Sequence, residues 1–463
     1  MIISLSARAK HSRSSKTRWY SSYSSSLIFH PSLNQRSVPA LFVRGGTSNG
    51  LIFRADDLPS LPSSEDYKEI LTRAMGSPDP EHGRQLDGMG SGISSTSKVV
   101  VLKKSEKEGV DVEYTFWQVG IREGVLDGAG NCGNLSSIVG PVAWDWGMVK
   151  EPMLQSSPSE SDQESPSPSK AIATVTILNT NTNKLIKSSF DVKAITSRFS
   201  STVVNDHTKS CDLLDQYKYC PRGAYYISGV SNPGSAIKLS FLNPGGAKTG
   251  HILPTGNPID ELEVITPANT SVDDITATKT ITVRASLIDV SNPGVFVRAD
   301  DLFVENFCEM TPEKLAQDEA TMRLLEGIRQ EGAQRMGMDP AIESVPKVVI
   351  LFPPGAKTHD TDEIVQDEEE DIRCLALSMG QPHRAVPLTL ALCLGAAARM
   401  EGTIADELVR MGGGLKDPAG EKVRIAHPSG TVDVGISRLG NGRIRAAELY
   451  RTARVMMQGN VFY

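Results

Sequence analysis

Cysteine, acidic residues near the start, and long apolar runs are what this chain has least of. Six cysteines lie among 463 residues (Cys132, Cys211, Cys220, Cys308, Cys374 and Cys393), and none forms a CxxC pair or a zinc spacing. In so large a chain that excludes a disulfide framework and points to reduced thiols. No apolar run reaches the ~18–20 residues a membrane-crossing helix needs, so no membrane partner is expected. Nor is there a basic stripe to supply phosphate contacts, and nucleic acid is excluded as a partner on that ground. Hydrophobic residues make up 39% of the chain, which fits a soluble globular protein, and the length suggests two or three domains, each able to bury its own core.

The first acidic residue is Asp56, whereas residues 1–37 hold Arg8, Lys10, Arg13, Lys16, Arg18 and Arg36 among many serines. This is the composition of an organelle transit peptide, and mitochondrial targeting is expected, with a cytoplasmic location as the alternative. A disordered basic arm has the same composition. Without those six cations the remainder carries 42 basic against 55 acidic side chains. A small-molecule partner of negative charge must then be held by local groups, since the net field repels it.

An internal repeat organises the chain beyond this segment. Asn49-Gly50-Leu51-Ile52-Phe53-Arg54-Ala55-Asp56-Asp57-Leu58 returns 244 residues later as Pro293-Gly294-Val295-Phe296-Val297-Arg298-Ala299-Asp300-Asp301-Leu302. Lys98-Val99-Val100-Val101-Leu102 returns 249 residues later as Lys347-Val348-Val349-Ile350-Leu351. The small-residue segment from Cys132 to Gly140 has its counterpart in Val386–Ala396, and Leu242–Gly246 resembles Ala426–Gly430. These pieces predict an α+β chain of two pseudo-symmetric lobes, residues 38–265 and 275–435, each a curved, mostly antiparallel sheet around a central helix. Residues 436–463 are expected to pack back on the body. Two stretches read as solvated loops: the Ser/Pro/Glu-rich segment near 155–170 and the acidic run 360–371.

Chemistry is expected where Gly-rich turns meet apolar elements. Gly128-Ala129-Gly130-Asn131-Cys132-Gly133-Asn134 directly precedes a predicted apolar helix. A sulfur there meets unpaired backbone N–H groups and the positive end of the helix dipole, both of which stabilise negative charge. Lys98 ends the polar loop Ser94-Ser95-Thr96-Ser97 and begins an apolar strand. Burial would make it a base near neutral pH, although a strand-end lysine that reaches solvent fits the same local sequence. Gly246-Ala247-Lys248-Thr249-Gly250 is either a backbone nest for an anion or a hairpin turn. Ser378-Met379-Gly380-Gln381-Pro382-His383 precedes the second lobe's helix and would face the Cys132 loop, though Ser and His here equally suit a cap or turn.

The run Arg44-Gly45-Gly46-Thr47-Ser48, the loop ending Ser97-Lys98-Val99, and Gly130-Asn131-Cys132-Gly133-Asn134 resemble the PrpF-type 2-methylaconitate cis–trans isomerase family. So do Gly246-Ala247-Lys248-Thr249-Gly250, Ser286-Leu287-Ile288-Asp289 and Arg451-Thr452-Ala453-Arg454, in the family's order. The resemblance implies a diaminopimelate-epimerase-like fold, no metal and no organic cofactor. It implies a cofactor-independent isomerase of an unsaturated polycarboxylate such as 2-methylaconitate or aconitate. Related acids (oxalomesaconate, methylitaconate) and a non-catalytic accessory role beside an Fe–S hydratase are the alternatives. Lys98 and Cys132 would be the acid/base pair. Thr47, Ser48, Ser94, Ser95, Thr96, Ser97, Asn131, Gly133, Asn134, Lys248, Thr249, Ser378 and His383 would bind substrate. A homodimer is compatible with the sequence. Epimerases of this fold use two cysteines, but the mirror position around Val386–Thr389 has none, which disfavours a two-thiol racemase.

Overall fold

The computed structural model describes residues 36–59, 65–156, 170–195, 211–267, 278–302, 311–355, 370–418, 421–440 and 443–463. The basic segment up to residue 35, most of the Ser/Pro/Glu-rich insert and most of the acidic run lie outside the described residues. In chain order the first lobe contributes β1 (Ser37–Gly45), β2 (Ser48–Arg54), α1 (Glu65–Ala74), β3 (Lys98–Lys104), β4 (Val112–Val119) and β5 (Leu126–Asp127). It continues through α2 (Gly133–Asp145), β6 (Leu154–Ser156), β7 (Lys170–Asn179), β8 (Lys184–Ala194), α3 (Cys211–Gln216), β9 (Tyr217–Tyr219) and β10 (Ile237–Leu242). The second begins with β11 (Asp260–Pro267), β12 (Thr278–Val290), β13 (Asn292–Arg298), α4 (Pro312–Gln317), α5 (Glu319–Arg335), β14 (Lys347–Phe352), β15 (Ile372–Ser378) and β16 (Gln381–His383). It closes with α6 (Leu388–Ala397), α7 (Ile404–Met411), β17 (Lys422–His427), β18 (Gly430–Arg438), β19 (Ile444–Arg451) and β20 (Ala453–Phe462).

Strand pairing repeats from lobe to lobe. The order β20-β1-β2-β3-β4-β7-β8-β10 runs antiparallel except at β2–β3 and β4–β7, which are parallel. The order β11-β12-β13-β14-β15-β17-β18-β19 has its two parallel pairs at the matching places, β13–β14 and β15–β17. β10 and β19 then pair with each other and join the halves into one sheet. Two expectations change here. β19 completes the second lobe, so that lobe runs past 435 to Arg451, and only β20 crosses to flank β1. Leu242–Gly246 and Ala426–Gly430 are not equivalents: the first follows β10, whose counterpart is β19, while the second is the β17–β18 turn.

Residue pattern explains the layers. A strand covered on both faces needs apolar side chains throughout, and β3 and β14 are such runs. Val99 and Val101 pack under α1 with Ile70 and Leu71, while Val100 and Leu102 face α2. In β14, Val348 and Ile350 pack under α5, and Val349 and Leu351 face inward. α2 is buried from Gly133 to Trp144 and α6 along its whole length. Each fully buried aliphatic side chain on them contributes roughly 1.5–3 kcal/mol. Both helices sit close to strands through a glycine eight residues from the N-cap. Gly140 lies against Ser188 and Phe190 of β8, and Gly395 against Val434 of β18. The N-caps are Cys132 and Pro387, so these two residues are equivalent, and Gly133 is equivalent to Leu388. That last pair touches: a Cβ on Gly133 would lie 3.0 Å from Leu388 Cβ. The two central helices therefore meet at their N-termini.

Candidate active site

Both N-termini open on a cavity of about 420 Å³ between the lobes. Its first-lobe wall holds Thr47 and Ser48 from the β1–β2 turn, Ser94 and Ser95, Lys98 at the start of β3, and the Asn131–Asn134 segment. Its second-lobe wall holds Ser344, Lys347 at the start of β14, Ser378, His383, and Pro387–Thr389 at the start of α6. The first-turn N–H groups of α2 and α6 have no acceptor inside their helices, and each end carries about half a positive charge. Among the described residues no Asp or Glu lines the cavity, whereas Lys98, Lys347 and Arg384 do, the last already ion-paired with Glu313.

The first-lobe side chains are held by directional bonds. Lys98 Nζ donates to Gln118 Oε1 at 2.5 Å and lies 5.4 Å from the centre of the Phe116 ring. Gln118 Nε2 donates to the Ser94 and Ser97 carbonyls, which fixes the amide so that its oxygen faces the lysine. Burial pushes the Lys98 ammonium below the ordinary lysine range, and Cys132 partly offsets this. Cys132 is partly exposed to the cavity, with its Sγ 4.0 Å from Ser48 Oγ. Asn131 Oδ1 accepts from Tyr114 Oη at 2.5 Å. Arg451 Nε donates to Asn134 Oδ1 at 3.3 Å, and Asn134 Nδ2 donates to Thr47 Oγ1 at 3.0 Å. An arginine can only donate, so this chain orients the Asn134 amide and leaves the Thr47 hydroxyl proton for an acceptor in the cavity.

On the opposite wall, burial and the nearby Lys98 bring Lys347 down to about 8. Its Nζ donates to the Ser344 carbonyl at 2.5 Å. His383 Nε2 lies 3.4 Å from Ser94 Oγ, and burial, with the two lysines beside it, lowers the imidazole to about 4. His383 is thus a neutral ring at pH 7.

Four expected binding residues lie elsewhere. The Lys248 and Thr249 backbone N–H groups and the Thr249 hydroxyl all bond Asp289 Oδ2, so this nest is filled by the protein's own carboxylate. Lys248 Nζ donates to the Asn181 carbonyl. Ser97 points away from the cavity to Gln85 Oε1 and the Ile93 carbonyl, and Thr96 to Ser91 and the same carbonyl. A short 3-10 turn over Ser94–Thr96 divides the loop in this way, so only its first two serines face inward. Sequence reasoning gave no site role to Lys347, Ser344, Gln118 or Arg451, although Arg451 stands in one of the family-like motifs. For Lys347 the signal was present, since it is the repeat partner of Lys98. Among the described residues no three His, Cys, Asp or Glu side chains form a metal-ligand set.

Fold and site together define a two-lobed α/β protein with a cavity between its lobes lined by hydroxyl, amide and basic side chains. The chain belongs to the PrpF family, matching the description "PrpF protein" over residues 35–207 and 214–463. It is 32% identical to the 2-methyl-aconitate isomerase of Shewanella oneidensis, across 94% of this chain and 98% of that one. It is 31% identical to the 3-methylitaconate isomerase of Eubacterium barkeri (93% of this chain and 98% of that one) and 30% identical to the 4-oxalomesaconate tautomerase of Pseudomonas putida (93% and 97%). The crystal structure of a methylitaconate-delta-isomerase superposes with a TM-score of 0.63 at 28% identity, covering 92% of this chain and 96% of that one.

Proposed function

We propose that this chain is a cofactor-independent isomerase that moves a double bond, or exchanges cis and trans, in an unsaturated polycarboxylate such as 2-methylaconitate or aconitate. The observation that carries the reading is the placement of Lys98 and Cys132 on one wall of a cavity that, among the described residues, has no carboxylate of its own. The named relatives act on unsaturated acids of this kind, in agreement with the chamber's chemistry. Each lobe then has the diaminopimelate-epimerase-like fold.

A C–H that is allylic and α to a carboxylate loses its proton to one of the pair, and the electron pair spreads over a dienolate. Helix N-termini and the Thr47 and Ser48 hydroxyls stabilise the charge that develops on the carboxylate oxygens. The proton returns at the far allylic carbon to shift the double bond, or after rotation to exchange geometry. Lys98 suits proton transfer because burial favours its neutral form. Pro387 stands where a second thiol would be needed, so the proton carriers both belong to the first lobe.

The test is solvent deuterium incorporation, followed by NMR, on a panel of cis-aconitate, 2-methylaconitate, methylitaconate and oxalomesaconate. Lys98→Ala and Cys132→Ser should each lower kcat/KM by about 10²–10⁴-fold. Full activity in both variants would overturn the assignment.

A further inference from the structure

We infer that the second-lobe wall is a carboxylate subsite, in which Lys347 Nζ and the Ser344 hydroxyl hold one carboxylate of the substrate while its reacting carbons lie toward Lys98 and Cys132. This rests on the proposed isomerase function and specifies how the acid is seated.

Lys347 lies at the position equivalent to Lys98: it begins β14 as Lys98 begins β3, with the same parallel neighbour strand. It is only 9% exposed and lines the cavity. Its ammonium has three donors, of which the Ser344 carbonyl takes one. Among the described residues no carboxylate lines the cavity; Asp127 favours the ammonium but burial outweighs it, and a buried cation so weakly compensated is expensive to keep. Ser344 supplies an independent observation. Its Oγ is buried and has no hydrogen-bond partner, although the residue lines the same chamber. Buried hydroxyls are rarely left so. A carboxylate between the two would take the free donors of both.

Repeat equivalence also separates the roles of the lysines. In Lys98's lobe the central helix starts at the Cys132 thiol, whereas the equivalent residue in Lys347's lobe is Pro387, which carries no proton. Lys347, with no thiol at its own lobe's helix start, holds the carboxylate, and proton transfer stays in the first lobe. An acid with two or more carboxylates can bridge the walls, with one group on Lys347 and another at the α2 N-terminus. A monocarboxylate cannot.

Tricarballylate, a saturated tricarboxylate that cannot isomerise, is the binding probe, measured by calorimetry at pH 7. Lys347→Met should raise its Kd by about 10- to 150-fold, the loss expected for a charged hydrogen bond. KM for the best acid of the panel should rise in parallel, with kcat falling less. Ser344→Ala, a change the fold tolerates more readily, should raise Kd about 5-fold. Unchanged Kd in both variants overturns the subsite. So does a fall in kcat of more than 10³-fold at unchanged Kd, which would make Lys347 a proton carrier. Turnover of no acid by the wild-type chain overturns the isomerase function, and the subsite with it; turnover without any binding of tricarballylate overturns the subsite alone.

Discussion

Replacing Lys347 by methionine should make the empty protein more stable, by an amount that depends on pH in a defined direction. Methionine keeps most of the side chain's length and volume, so the main change is removal of a buried ammonium. In the unfolded chain this lysine titrates near 10.5, and in the folded chain near 8. Below pH 8 both states hold the proton, and the folded state bears the full penalty of ~3 kcal/mol. Between the two values the unfolded chain binds more protons, so wild-type stability rises with pH and the penalty fades to ~1 kcal/mol at pH 9.5. The neighbours that share this field are Lys98, which disfavours the charge, and Asp127 and Cys132, which favour it. His383 is already neutral across this range. Losing the donor to the Ser344 carbonyl removes ~1 kcal/mol of the gain. Lys347→Met should then exceed wild type by ~2 kcal/mol at pH 7 in urea unfolding, with the advantage gone by pH 9.5. Equal stability at pH 7, or a difference that does not change with pH, would refute the reasoning.

Arg451→Met should free the Asn134 amide to turn and so remove the orientation imposed on the Thr47 hydroxyl. KM is expected to rise about 5- to 50-fold with the pH profile of kcat unmoved, and a double-mutant cycle with Thr47→Val should show coupling of ~1 kcal/mol. Gly133→Ala drives a methyl group into the Leu388 side chain at the meeting point of α2 and α6. It should cost ~1–3 kcal/mol in denaturant unfolding, as overpacking does, and Leu388→Ala in the same chain should restore part of it.

Much of the fold and of the first-lobe wall was legible from residue order because the informative signals are local. The Gly-rich turn before Leu135 and the small-residue helix after it place Cys132 at a helix N-terminus on any reading. The paired segments at Lys98 and Lys347 reveal the duplication and hence a chamber between lobes. What escaped depends on partners distant in sequence. The turn at Lys248 and Thr249 has the composition of an anion nest, and the anion is Asp289, some 40 residues on. Ser97 has its polar partner in Gln85. Gln118 and Arg451 come from strands whose alternation shows burial but not what they touch. Lys347 follows Ser344-Val345-Pro346 instead of a Gly/Ser-rich loop, so nothing beside it suggested a ligand; only its equivalence to Lys98 did.

The contact between Gly133 and Leu388 bears on how such a molecule arises. Equivalent residues that touch lie on the molecule's approximate two-fold axis, where in a true dimer of identical lobes a side chain would meet its own copy. Two leucines there would overlap, so a self-pairing single lobe would be restricted to a small residue in both places. Joining the lobes in one chain lifts the restriction, because each copy can then change alone. The same freedom applies one residue earlier, where one copy carries a thiol and the other a proline. Division of labour between proton transfer and binding is open to a fused pair and closed to a symmetric one.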